Sequence, residues 1–122
     1  MIQTDAVKNY LIPKCNYRED LHWLQYAEEA DLLNVALFGF TAKAWREANP
    51  ELAKKTNVRD YASISELTVL SNLETHNAQM IREGKKKEER FEYLKEIADY
   101  QIHVLSEAER IETSRNKIDE IL

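Results

Sequence analysis

Two glycines and two prolines are the only strong chain breakers in 122 residues. A sandwich or barrel would need many more, because most tight turns call for glycine at positive φ or for a turn-setting proline. A chain so poor in breakers is left with long helices. We therefore expect an all-α fold: a compact helical bundle of three main helices plus short helices, with a long C-terminal helix. With 43% hydrophobic residues, the chain suits a single helical domain over 1–122 with one core.

Apolar spacing divides that domain into segments. Thr4 can cap a short helix near 4–12, with Asp5 in its first turn and Ala6, Val7, Tyr10 and Leu11 on its apolar face. Pro13 ends it, KCNYRED forms a loop over 13–19, and Asp20 can cap the next helix. Trp23, Leu24, Ala27, Ala30, Leu33, Leu37 and Phe38 recur at spacings of three and four, which predicts a helix near 20–38. Gly39 stands where a left-handed C-terminal residue belongs. Thr41 reads as the next N-cap, for a short helix at 42–48 that Pro50 prevents from continuing.

The stretch ELAKKTNVRDYAS is polar without a clear period and predicts a loop over 50–62. Ser63-Ile64-Ser65-Glu66 then fits a capping box, opening a helix near 64–83 through Leu67, Leu70, Leu73, Ala78 and Ile81. Gly84 stops it. After a basic turn at Lys85 to Lys87, a final helix near 86–110 carries the stripe Phe91, Leu94, Ala98, Ile102, Leu105, Ala108 and Ile111, and can reach Leu122. Beyond Ile111 the string ETSRNK has no apolar residue, so the tail 106–122 is either frayed or packed on a partner chain. No internal repeat is visible.

Sequence signals for chemistry are sparse. His22, His76 and His103 belong to no metal-ligand pattern; His103 and Glu107 share a helix face, but two groups are too few for a metal. Cys15 has no base or orienting group nearby in sequence, and as a lone cysteine it forms no internal disulfide. Glu28 and Glu29 diverge by about 100° on a helix and form no carboxylate dyad. There is no glycine-rich phosphate loop. The sequence points to no enzyme, no cofactor and no small-molecule substrate. A net charge of -5 argues against a general nucleic-acid surface. No apolar run approaches a membrane span, and the start MIQTDAVKNY lacks a signal core, so the expected location is cytoplasmic.

Two clusters combine aromatic and arginine residues, the composition of an interface anchor: Trp45-Arg46 before Asn49-Pro50, and Arg59 with Tyr61 in NVRDYA. The core reading is favoured, with Trp45 and Tyr61 packed inside and Arg59 paired with Asp60 to hold a corner. As candidate partner-binding residues we carry Trp45, Arg46, Arg59 and Tyr61. To these the tail adds Ile111, Ile118, Ile121 and Leu122. A helix from Lys86 to Leu122 would be roughly 55 Å long, far beyond the ~14 Å radius of gyration expected of such a domain. Its end should leave the domain and pair with a second chain, making a homodimer.

The strings TDAVKNYLIP, YAEEADLLNVALFGFTAKAWREANP and NVRDYASISELTVLSNLETHNAQMIREG, followed by Glu89-Arg90, occur in order over roughly residues 3 to 105. They resemble the C-terminal region of KilA-N domain proteins, DNA-binding proteins of bacteriophages and other mobile elements. The KilA-N domain itself has no counterpart in these residues. The resemblance thus implies an accessory helical module in a bacterial or phage-infected cell, and it transfers neither DNA binding nor catalytic residues. It leaves two expectations: a non-enzymatic protein-interaction or dimerisation module, or a stand-alone phage or prophage inhibitor that binds a host protein such as a defence nuclease, either anti-CRISPR-like or as an acidic nucleic-acid mimic.

Overall fold

The structure, a computed structural model, describes the chain from Tyr10 to Ile121, with side chains described as far as Ala108. Among these residues five α-helices, α1 (Glu29–Phe38), α2 (Ala42–Ala48), α3 (Pro50–Ala53), α4 (Ile64–Arg82) and α5 (Lys87–Ile121), are joined by 3-10 turns at His22–Tyr26 and Val58–Tyr61. No strand occurs among the described residues. The helix expected near 4–12 falls mostly outside them, and its described end, residues 10–12, is not helical.

Local chemistry explains most boundaries. The Thr41 hydroxyl accepts the Ala44 amide at 3.0 Å. Ser63 and Glu66 form the reciprocal box, with Glu66 N–H donating to Ser63 Oγ at 3.0 Å and Ser63 N–H to Glu66 Oε1 at 2.9 Å. Gly39 and Gly84 both sit at positive φ, 89° and 77°, and end α1 and α4. At Gly84 the Lys85 amide reaches back to Met80 O at 3.1 Å and the Gly84 amide to Ile81 O at 3.0 Å, a Schellman turn.

Three expectations are corrected. The helix near 20–38 is two pieces, because Ala27 is extended and Glu28 restarts the chain as an N-cap whose amide donates to Asp31 Oδ2 at 3.0 Å. Asp20 caps no α-helix; its carboxylate accepts from the His22 amide and ring. The span 50–62 is not a plain loop. Pro50 opens α3, where its missing N–H costs nothing. Asn57 and Asp60 close the Val58–Tyr61 turn, Asp60 Oδ2 taking the Asn57 amide at 2.8 Å.

The main core lies where α1, α4 and α5 meet. Leu32, Val35, Val69, Leu70, Leu73, Phe91 and Leu94 are fully buried there. On α4 the buried stripe runs through Val69, Asn77 and Met80, while Leu67 and Ile81, expected inside, are 42% and 46% exposed. The buried face of α4 holds Val69, Leu70, Leu73 and Met80 and carries Asn77 into a polar network. Arg90, only 5% exposed, donates to both carboxylate oxygens of Glu29, to Asn77 Oδ1 at 2.8 Å and to Lys85 O at 3.1 Å. Asn77 Nδ2 closes the triangle on Glu29 at 2.8 Å. These three side chains tie α1, α4 and α5 together, and Lys87 adds a 2.6 Å bond to Ala27 O.

A smaller core holds the α2 corner. Trp45, Phe40 and Val58 are buried there, with Tyr10, Phe38 and Tyr61 packed around them. Asn49 fastens the incoming chain: its side chain accepts the Leu11 amide at 2.6 Å and donates to Leu11 O at 2.8 Å, as a β-strand neighbour would.

Candidate interaction surface

The structure separates the first four candidate residues. Trp45 is 0% exposed and is a core side chain, in contact with Tyr61 at 5.9 Å and Tyr10 at 5.8 Å between ring centroids. Tyr61 is half-buried over it. Burial pushes the Tyr10 phenol up, and Glu66 adds to the shift. Arg46 is exposed and makes no ion pair among the described residues. Arg59 does not pair with Asp60; it stands 4.0 Å from Glu74 on α4, while Asp60 is used by the Asn57 cap. The aromatic half of this cluster is therefore structural, and its arginines face solvent.

The remaining candidates lie along α5. The helix runs unbroken for 35 residues, about 52 Å, while its antiparallel neighbour α4 has 19 residues, about 28 Å. Asn72 Nδ2 donates to Gln101 Oε1 at 2.9 Å, which fixes how far the two overlap. Eight residues before Asn72, α4 begins at Ile64; the matching position on α5 is 109. The segment 109–121 thus continues beyond the end of α4. The side chains of Ile111, Ile118 and Ile121 lie outside the described residues, as does Leu122.

One feature that sequence reading missed lies on the described half of α5. Tyr93 is 53% exposed, Tyr100 70% and Val104 43%, and half-buried Ile97 sits between them. These four fall at spacings of four, three and four on one helix face, about 120° round from the buried stripe of Phe91, Leu94 and Ala98. The signal is present in the sequence, but the more apolar inner stripe masks it.

Elsewhere the surface offers little for a small molecule. A shallow depression of about 330 Å³ is lined by Arg18, Glu19, Glu92, Lys95, Glu96 and Asp99. Its cations are already engaged: Arg18 with Asp99 at 2.8 Å and Ala36 O at 3.2 Å, Lys95 with Glu92 at 2.9 Å and the Phe91 ring at 4.9 Å. Among the described residues no group of three metal-ligating side chains comes together, and no helix is long and apolar enough to cross a membrane. Cys15 is exposed. No family profile, characterised protein or solved structure matches the chain.

Proposed function

We propose that the chain is a non-enzymatic protein-interaction module that self-associates through the outer face of α5. The observation that carries this reading is the stripe of Tyr93, Tyr100 and Val104, large side chains left in water on a helix that outruns its neighbour. Tyrosine suits such a surface because its ring gives contact area at low entropic cost while its hydroxyl tolerates solvent. The resemblance to the C-terminal region of KilA-N proteins supports placing this module in the cytoplasm of a bacterial or phage-infected cell, where it would pair copies of a DNA-binding protein.

Light scattering on the full chain tests it. The expected mass is twice the 14.3 kDa of one chain, falling to a monomer in the double variant Tyr100→Glu/Val104→Glu with unchanged helix content. A native chain that stays monomeric at high micromolar concentration would refute self-association. It would shift weight to the second reading, a module that inhibits a host protein.

A further inference from the structure

The exposed stripe of α5 has a neighbour on α4. Thr68, Asn72, Thr75 and Gln79, all exposed, recur at spacings of four, three and four, the same spacings as Tyr93, Ile97, Tyr100 and Val104. At about 100° per residue this row lies about 170° round α4 from Asn77, the side chain that reaches Glu29 on α1. On α5 the stripe lies about 170° round from Lys95, which bonds the Arg18 carbonyl, while the Arg18 guanidinium holds Ala36 O on α1. Both rows therefore point away from α1. The 2.9 Å bond between Asn72 and Gln101 closes the seam between the two helices. Together they form one floor on the side of the bundle opposite α1.

The chemistry of this floor suits burial. Charged residues make up 32% of the chain, yet neither row contains one. Stripping water from an unpaired charge is a large penalty on covering a helix surface, and here it does not arise. The polar groups of the α4 row are also engaged within the chain. Thr68 Oγ1 donates to Ile64 O at 2.9 Å and Thr75 Oγ1 to Ser71 O at 3.3 Å, each within its own helix. Asn72 Nδ2 is used by Gln101, and Gln79 Nε2 reaches Glu83 Oε2 at 3.4 Å. Covering the row would leave neither hydroxyl without a partner, which removes the usual cost of burying a threonine. Width argues the same way. One helix presents a strip about 10 Å wide, and a neighbour ~8–10 Å away about doubles the area open to a partner. A stable interface takes ~800 Å² from each side, which favours the wider floor.

We infer that a second copy of this chain seats on the α4–α5 floor as a whole, with the Thr68–Gln79 row of α4 buried beside the tyrosine stripe of α5. This rests on the self-association proposed above. A second copy is the occupant because the α4 row is continuous with the face assigned to self-association, joined to it by Asn72 and Gln101. Sedimentation equilibrium on the full chain tests it. Asn72→Glu puts a charge into the middle of the row, and does so twice in a pair of copies. It should weaken the dimer about tenfold or more. Thr68→Arg should weaken it too, because the loss comes from burying a charge of either sign. Ala78→Glu sets the same carboxylate on an exposed position of α4, about 120° round from Asn72, and should leave dimerisation unchanged. Circular dichroism checks that each variant keeps its helix content. If Asn72→Glu and Thr68→Arg dimerise like the native chain while Tyr100→Glu/Val104→Glu does not, the second copy sits on α5 alone; this inference then fails and self-association stands. Equal weakening by Ala78→Glu would also overturn it, since a charge anywhere on α4 would then suffice. A native chain that stays monomeric removes both ideas.

Discussion

Removing the Glu29 carboxylate should expose how much of this bundle hangs on one ion pair. Arg90 is 7% exposed at its side chain and Glu29 is 45% exposed. In Glu29→Ala the buried guanidinium keeps only Asn77 Oδ1 and Lys85 O. Breaking a wholly buried pair costs about 3–5 kcal/mol. Here water can enter from the Glu29 side, so we expect about 2 kcal/mol. Arg90→Met alone should cost a similar amount, because Asn77 Oδ1 loses its donor. The double variant should cost less than the two singles added, with a coupling of about 2 kcal/mol at neutral pH. The Arg90 hydrogen bond holds the Glu29 carboxyl below its ordinary 4.5, against desolvation, with help from Asn77. A lowered folded pKa contributes stability that is complete above 4.5 and is lost as pH falls through the lowered value. The coupling should therefore shrink in acid. Urea unfolding followed by circular dichroism, at one fixed protein concentration because the chain self-associates in our reading, gives all four values. Additivity within about 0.5 kcal/mol, or a coupling unchanged well below the carboxylate range, would refute the reasoning.

Four further outcomes are expected. Trp45→Ala should cost about 3–5 kcal/mol in the same assay, since the side chain is wholly buried. Trp45→Phe should cost clearly less, because the indole N–H has no hydrogen-bond partner among the described residues. Gly39→Ala should cost about 1 kcal/mol from left-handed backbone strain alone, as a Cβ there meets nothing within 4 Å; a loss well above that would mean a clash the structure does not contain. Residues 1–122 should bind duplex DNA weakly or not at all at physiological salt, given the net charge of -5. A submicromolar gel shift that fades steeply with added salt would contradict this.

The helical class and the helix ends at Phe38, Ala48 and Arg82 are legible along the chain, because those signals are local. A left-handed glycine at 39 or 84, a hydroxyl at Thr41 or Ser63 facing its own third amide, and a proline in a helix's first turn are complete within a few residues. Where two local codes compete, the chain read alone could not choose. Leu21 to Phe38 reads as one periodic helix, yet Ala27 is extended and the Asp31 carboxylate takes the Glu28 amide, splitting it; in the first piece Trp23 donates to Tyr17 O at 2.7 Å and packs on Phe91. Contacts between distant segments settle which face of α4 is inside. Leu67 and Ile81 are as apolar as Val69 and Met80, but the face that packs inward is the one bearing Val69, Leu73, Asn77 and Met80, where Asn77 meets Glu29 and Arg90, residues 48 and 13 positions away. The same holds for α5, where the chain read alone shows the inner stripe and masks the outer one. Only the packing of α1 and α4 against Phe91, Leu94 and Ala98 buries one and leaves Tyr93, Tyr100 and Val104 in water, because a helix surrounded on part of its circumference must leave the rest of its surface uncovered.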